Sequence, residues 1–482
     1  MPTAPEQHSA PLAHGPGSRT GRRGPSPEPA LESRLAVGRP ARRRRFRARA
    51  RGIVQGFALL RLALALAAGW LWAWRPWRAR AEIRRRRVEG AARRIATTLG
   101  ELKGAFVKAG QFATVRLDLV PPEAQPWLAR LRDRVPPRPF AEVAAVVEAE
   151  LGGALADHFA EFEPEPVGAA SIAQVHRARL VDGTRVAVKV QYPWLEDSLA
   201  ADLAWLRRLA RWLGGRRFDS ERVFAEFARS MAEELDFRRE AESARAIAAN
   251  LAGEPQILVP AVLPALSGRR VLTVAWHACI PIGDREGLAR LGVAPRDVLV
   301  VIARAYAKQV FVDGLFHADP HPGNLFVVDE PGAAARPRVL FVDFGLSRHL
   351  DPALRREIRE AMYALLKRDR EAFLAGMARM GMIAPGAETA VAASVGRMFE
   401  RLAGVQAPLG LGGAQVLSLK DEAKALLAET RGVQLPNDLL LYARTMSYVF
   451  ALGQELDPEL DVMRLCLPPL LQFLAQRERG PG

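Results

Sequence analysis

Three polar motifs in a fixed order constrain this chain more than any other feature. Lys189 lies in the apolar run RVAVKVQYP, Arg185 to Pro193. Asp319 and Asn324 lie five residues apart in FHADPHPGNLFVV, Phe316 to Val328. Nineteen residues after Asn324, Asp343 ends an apolar strand signal in FVDFG, Phe341 to Gly345. The middle loop is too rich in proline and glycine to be helix, so its side chains can point into a cleft. A carboxylate and an amide carbonyl are hard oxygen donors of the kind magnesium needs beside phosphates. Gly345 is expected to let the chain turn sharply after the metal ligand. Each motif taken singly also fits a buried strand ending in a turn. Their order and spacing together exclude that bland alternative.

The order is that of kinase-type phosphoryl transfer. A strand lysine pairs with the α- and β-phosphates, a loop aspartate takes or orients the proton of the attacking hydroxyl, and an asparagine and a second aspartate hold magnesium. Lys189, Asp319, Asn324 and Asp343 fill those places. Two parts of the pattern look different. The position of a glycine-rich loop, about 20 residues before the lysine, holds Gly168, Ala169, Ala170 and Ser171 in PVGAASIAQVH. The glutamate that should fix Lys189 must lie in AEELDFRREAESAR, Ala232 to Arg245. Helical spacing puts Glu233, Asp236 and Glu240 near one face and Glu234 on another, and does not choose among them.

Net charge is +16 over 482 residues, but residues 1–94 hold 22 arginines against five acids. The rest of the chain is close to neutral, so the basic character belongs to the N-terminus and not to a nucleic-acid-reading domain. Two distant cysteines, Cys279 and Cys466, give no disulfide framework and fit a reducing compartment. His317 and His321 are four apart, but Pro320 between them breaks the helix that a zinc pair would need.

Residues 1–52 are read as a disordered basic tail, rich in Pro, Gly and Ser before a run of arginines. Ile53 to Trp74 is an apolar run of 22 residues, roughly 33 Å as a helix. Arg61 within it costs about 2.5–3.5 kcal/mol for insertion, and arginines flank both ends. A signal peptide is disfavoured by position. The competing expectations are a single span, an interfacial helix anchored by Trp70, Trp72, Trp74 and Trp77, with arginines on an anionic membrane surface, and a soluble core helix. The N-terminus is expected to meet a membrane, at its cytoplasmic face. The assigned divisions are 53–78 for this helix, 79–160 for a helical extension, 161–278 for a small lobe and 279–482 for a helical lobe.

Periodicity predicts a helix from Arg93 that stops at Pro121-Pro122, and another from Pro139 to Gly153. Ser171 to Val181 and Val186 to Val190 are strands joined by an Asp182-Gly183 turn. Helices follow from Leu199 to about Leu251, a strand at Val271 to Trp276, and a long helix from about Pro295 to Val312. NLFVV and PRVLFVDFG are short strands, and everything after Asp351 reads helical. The fold class is α+β, with a two-lobed kinase-like arrangement.

With these motifs assembled, the chain resembles the UbiB (AarF-domain) atypical kinases, over about Arg93 to Asp457. The resemblance rests on Lys108-Ala109-Gly110-Gln111, on GAASIAQVH, on Glu234-Leu235-Asp236 followed by Glu240, on HADPHPGN and on DFG. The first two are absent from ordinary protein kinases. The resemblance implies that Lys189 pairs with Glu240, and that Lys108 of the KxGQ signature, with Gln111, lies near Glu234. The N-terminal extension would then cover the cleft where a protein substrate would bind. It implies ATP and Mg2+ as cofactors, and support of ubiquinone or other isoprenoid-lipid metabolism beside lipid-synthesis enzymes. Alanine in place of glycine restricts φ and should hold the phosphate loop in one shape. The chain departs from the family with Gly168 opening that loop, and with Ala275 and Cys279 near the lobe hinge. Its Pro-broken C-terminal segment, Cys466 to Gly480, is too short to span a membrane. A small-molecule phosphotransferase is a second expectation, weakened by the KxGQ signature. A nucleotide-binding scaffold without turnover is a third.

Overall fold

The computed structural model describes residues 81–115 except 103, positions 123–124 and 127, and residues 137–476 except 215–219, 331–335, 404–429, 431 and 434. The expected disordered tail and the membrane-seeking run at 53–74 lie outside the described residues. So does the expected stop at Pro121-Pro122. Among the described residues no helix is long and apolar enough to cross a membrane.

The extension opens with α1 (Ala81–Leu102) and α2 (Ala105–Val115). The sequence pattern predicts one continuous helix here. The chain instead breaks at Gly104, whose φ of +55° is left-handed and outside helical geometry. Next come α3 (Phe140–Leu151), a single turn α4 (Leu155–His158), and the strands β1 (Phe159–Ala169), β2 (Ala173–Leu180) and β3 (Arg185–Gln191). Periodicity missed β1. Its sequence, FAEFEPEPVGA, carries three glutamates and two prolines, which argue against a central strand. It is an edge strand, paired with β2 through three irregularities of register, and most of its residues face solvent.

Three helices follow: α5 (Trp194–Gly214), α6 (Ser220–Glu234) and α7 (Phe237–Asn250). The α6–α7 break corrects the single-helix spacing used above for the acids. Asp236 sits between the two helices as the N-cap of α7 and accepts from the Arg238 backbone N–H at 3.2 Å. After β4 (Ile257–Leu258) comes β5 (Val271–Ala275), which completes an antiparallel sheet in the order β1-β2-β3-β5. The valines of β3 and α3 close its core: Val143, Val146 and Val147 pack on Val186, Val188, Val190 and Val271. Burying a valine stabilises by about 1.5–3 kcal/mol, so this patch fixes α3 on the sheet.

Beyond the hinge lie β6 (Cys279–Pro281), α8 (Arg285–Arg290) and α9 (Pro295–Ala307). The long helix expected to reach Val312 leaves α geometry at Lys308 and continues as a π-helical turn through Asp313. That turn ends at Gly314, whose φ of +70° only glycine adopts readily. Then come β7 (Leu315–Phe316), β8 (Leu325–Val328), β9 (Val339–Phe341) and β10 (Arg348–His349). β6, β8 and β9 are antiparallel neighbours, and β4 joins β9 in parallel. β7 and β10 form a separate two-residue ribbon.

The helical lobe continues through α10 (Pro352–Leu366), α11 (Arg370–Arg379), α12 (Glu388–Ala403), α13 (Asn437–Leu456) and α14 (Val462–Ala475). The expected proline break in the last segment does not occur: Pro468 and Pro469 lie inside α14. The core holds the helix together, because Cys466, Leu470, Phe473 and Leu474 are all buried against it. The observed architecture is α+β and two-lobed, as the motif order implied.

Candidate functional site

The site is assembled from strand ends and one helix. Lys189 occupies the middle of β3, where alternation turns Val188 and Val190 into the core and Lys189 to the other face. Its ammonium donates to both oxygens of Glu240, at 2.8 and 3.0 Å, and to Asp343 Oδ1 at 3.2 Å. Glu240 stands on the first turn of α7 and is 6% exposed. The other acids of that stretch are engaged elsewhere: Glu233 pairs with Arg348 at 3.1 Å, and Asp236 caps α7.

These charges perturb one another. Burial works against the Lys189 charge, but Asp343 and Glu240 outweigh it and raise the ammonium well above its ordinary value. Burial pushes the Asp343 carboxyl up, yet Lys189 and Lys108 hold it down, to about 2. Glu240 shifts the other way although it shares the same lysine. Its burial, with the Asp343 charge beside it, outweighs Lys189 and raises it. The cluster is thus one cation between two anions. Asp343 keeps 49% of its side chain accessible to solvent, although protein crowds its other side. Solvent there screens its pairing, so the attraction is weaker than the distance suggests.

Asp343 has φ +62° and ψ +76°, a left-handed conformation that aspartate tolerates better than most residues. Its backbone is held from behind: His317 Nε2 lies 3.0 Å from Val342 O and 2.9 Å from Asp343 O, and Tyr306 OH lies 2.9 Å from His317 Nδ1. This corrects the expected role of Gly345. The unusual backbone is at Asp343, and Gly345 keeps a negative φ. A Cβ on Gly345 would lie 3.3 Å from Asp343 Oδ1 and 3.6 Å from Glu240 Oε2. Glycine is there to make room for the carboxylates.

The Asp319 loop is tied down by two groups. Asn324 donates to the Asp319 carboxylate at 3.1 Å and to its backbone carbonyl at 3.2 Å. Arg444, from α13, donates to the other carboxylate oxygen at 2.9 Å. Sequence reasoning missed Arg444, which lies 125 residues away with no local motif. It also missed Gln309, buried in the π turn, whose side-chain oxygen accepts the His317 backbone N–H at 3.0 Å. A polar residue inside an apolar helix was its only signal. His321 turns back on its own loop, its Nδ1 accepting from Gly323 N–H, so it does not pair with His317 on a metal.

In the extension, Lys108 of α2 meets Glu234 at the end of α6, at 2.8 Å, with both side chains largely buried. Gln111 lies one turn further along α2, half-buried. Gly168 and Ala169 belong to β1, paired with Val175 and Gln174. Ala170 and Ser171 form the tight turn into β2, closed by Ala170 N–H on Ala173 O at 2.8 Å. A Cβ on Gly168 would meet nothing within 4 Å.

No cluster of three His, Cys, Asp or Glu side chains suited to a metal exists among the described residues. A magnesium ion beside phosphates takes hard oxygen donors, and Asp343 offers a carboxylate and Asn324 an amide carbonyl. Asn324 gives its NH2 to Asp319, which leaves its carbonyl oxygen as the donor toward a cation. The residues present therefore fit magnesium nucleotide.

Comparison with known proteins agrees with this geometry. Residues 130–376 match the ABC1 atypical kinase-like domain. An Arabidopsis thaliana chloroplastic protein named Activity of BC1 complex kinase 8 is 31% identical over 407 residues, 78% of this chain and 53% of that protein. The chain thus spans about half the length of that relative. A probable protein kinase UbiB of Marinobacter nauticus is 32% identical over 80% of this chain and 70% of its own. A Mycobacterium tuberculosis protein, solved as a complex with erythromycin, superposes with a TM-score of 0.52 at 26% identity, covering 82% of this chain and 99% of its own. The chain belongs to the ABC1 atypical kinase-like family, alongside proteins named UbiB.

Proposed function

We propose that this protein is a membrane-associated atypical kinase or ATPase that binds Mg-ATP between its lobes and serves ubiquinone or related isoprenoid-lipid metabolism. The observation that carries it is the convergence of Lys189, Glu240 and Asp343 within hydrogen-bond distance. Bound Mg-ATP would supply the transferable phosphoryl group and a cation that neutralises its charge. Lys189 binds the phosphates, oriented by Glu240. Asn324 and Asp343 hold the metal. Asp319, aligned by Asn324 and Arg444, takes the proton of the attacking hydroxyl or water. The loop from Gly168 to Ser171, whose Ala170–Ser171 turn is closed by Ala170 N–H on Ala173 O, would cover the phosphates, its alanines restricting how far the backbone adapts to them. The Lys108–Glu234 pair keeps α2 beside this site, which favours a small or lipid acceptor over a protein one.

Membrane association is supported by the Trp- and Arg-flanked apolar run at 53–74. The quinone link is supported by the UbiB name of the Marinobacter relative. The test is Mg-dependent ATP hydrolysis by the full chain, with and without anionic liposomes, beside Asp343→Asn. Turnover that liposomes stimulate and the substitution abolishes supports the proposal. Mg-ATP binding without turnover above the variant overturns it in favour of a nucleotide-binding scaffold.

A further inference from the structure

We infer, resting on Asp343 as the proposed magnesium ligand, that Tyr306 and Gln309 are positioning residues: they grip His317 at two points and, through it, aim the Asp343 carboxylate at the cation.

Asp343 needs such a grip. A non-glycine residue in the left-handed region is strained, and the conformation persists only where its surroundings impose it. Lys189 holds the carboxylate end. The peptide end is held by His317, whose Nε2 lies 3.0 Å from Val342 O and 2.9 Å from Asp343 O. Carbonyl oxygens only accept, so Nε2 must carry the hydrogen. A bare Nε2 would set its lone pair against two carbonyl oxygens.

Tyr306 fixes the other side of the ring. With the hydrogen on Nε2, Nδ1 is an acceptor, and the Tyr306 hydroxyl 2.9 Å away is the donor it meets. Both side chains are buried, Tyr306 at 0% and His317 at 1% exposure, so water does not replace this bond. Burial, with the Asp319 charge nearby, pushes the Tyr306 hydroxyl well above its ordinary value, so it keeps its hydrogen. A ring with a hydrogen on Nδ1 would leave the phenol hydrogen without an acceptor among the described residues. Phe341 and Phe344 stand edge-on to the imidazole, their centres 6.0 and 5.3 Å away, and limit its tilt.

Gln309 holds the histidine backbone. Its Oε1 accepts the His317 N–H at 3.0 Å. The residue is 0% exposed, and its Nε2 finds no partner among the described residues. A buried amide donor left unpaired is unfavourable, and leucine in the same helix would avoid it. The glutamine therefore serves through its oxygen. α9 gives way to the π turn at Lys308, between Tyr306 and Gln309. Such turns recur at functional sites, and here the change of pitch falls between the two side chains that converge on one histidine.

The test compares the full chain with Tyr306→Phe and Gln309→Leu, two substitutions that keep the volume and remove the bond. Without nucleotide, amides 343–347 should exchange hydrogen about threefold faster in each variant, while those of β2 and β3 keep their rates. With isotope-labelled histidine, and His317 assigned by its loss in His317→Asn, the Nδ1 resonance should be that of a bare nitrogen and should move in Tyr306→Phe. Magnesium should bind the ATP complex about fivefold more weakly in each variant, with metal-free ATP affinity within about twofold. Unchanged exchange, a hydrogen on Nδ1, a resonance unmoved by Tyr306→Phe, or metal-free ATP affinity falling in step with magnesium overturns the positioning role. Magnesium affinity unchanged by Asp343→Asn would instead sink the metal assignment of Asp343, and with it the aim at a cation, while the exchange and resonance results still decide the grip on His317.

Discussion

Glu240→Gln and Asp343→Asn, made singly and together, ask whether one buried cation is shared by two anions. Lys189 is 17% exposed, and its contacts to the two carboxylates are 2.8–3.2 Å. At about 3 Å an effective dielectric near 20 gives about 5–6 kcal/mol of attraction, most of which burial of the ions cancels. Gln at 240 gives up a charged pair but relieves a buried carboxylate of its desolvation and of the neighbouring Asp343 charge. The expected change is within about 1 kcal/mol of zero. Asn at 343 also changes stability by less than about 1 kcal/mol, because solvent already screens that side. The double variant leaves the ammonium buried with neither carboxylate, a loss of about 3–5 kcal/mol. Coupling between the sites is therefore at least about 1–3 kcal/mol, above the few tenths expected of independent positions. Urea unfolding of the four proteins at pH 7 measures it. Single changes that simply add to give the double would refute the shared-cation arrangement.

The pH dependence follows the same groups. The Lys189 value is raised on folding, so its contribution is present below the ordinary lysine range and fades as pH rises through the folded value. In the double variant the sign reverses: the folded state prefers neutral lysine, and stability climbs as pH rises from 7 toward 10. The Asp343 value is depressed to about 2, so its contribution is present above the ordinary carboxylate value and is lost as pH falls toward 2. Asp343→Asn should accordingly flatten the acid limb of the stability curve below about pH 4.

Other substitutions separate space from charge. Gly345→Ala places a methyl 3.3 Å from the Asp343 carboxylate, and should weaken Mg-nucleotide binding about tenfold (about 1.4 kcal/mol) by titration. Gly168→Ala enters open space at a negative φ, and should raise the urea midpoint by about 0.5 kcal/mol equivalent. Arg444→Gln removes the charged partner of Asp319, and steady-state ATPase assays should show kcat falling at least tenfold with KM for ATP within about twofold. Burial pushes the Cys279 thiol up to about 11, so iodoacetamide should label it slowly at pH 8 and faster as pH approaches 10.

How much was legible in the sequence depends on how local the cause is. Lys189, Asp319, Asn324 and Asp343 could be read because each is a polar residue within or at the end of an apolar run, or sits in a loop whose prolines and glycine forbid helix. The Asp182-Gly183 turn and the order of strands before helices are local in the same sense, and they carried the fold class. Tertiary structure decided which acid meets Lys189. Helical spacing treated residues 232–245 as one helix, whereas the chain stops at Glu234, recaps at Asp236 and turns Glu240 inward. It also decided Arg444, whose partner lies 125 residues earlier in the chain. β1 was hidden by its own glutamates and prolines, which an edge strand tolerates because one side pairs and the other meets water. α14 survives two prolines because its buried face packs on the core. Local backbone chemistry is written in neighbouring residues, and a sequence states it directly. The pairing of buried charges depends on which surfaces the core brings together, and the folded chain alone settles that.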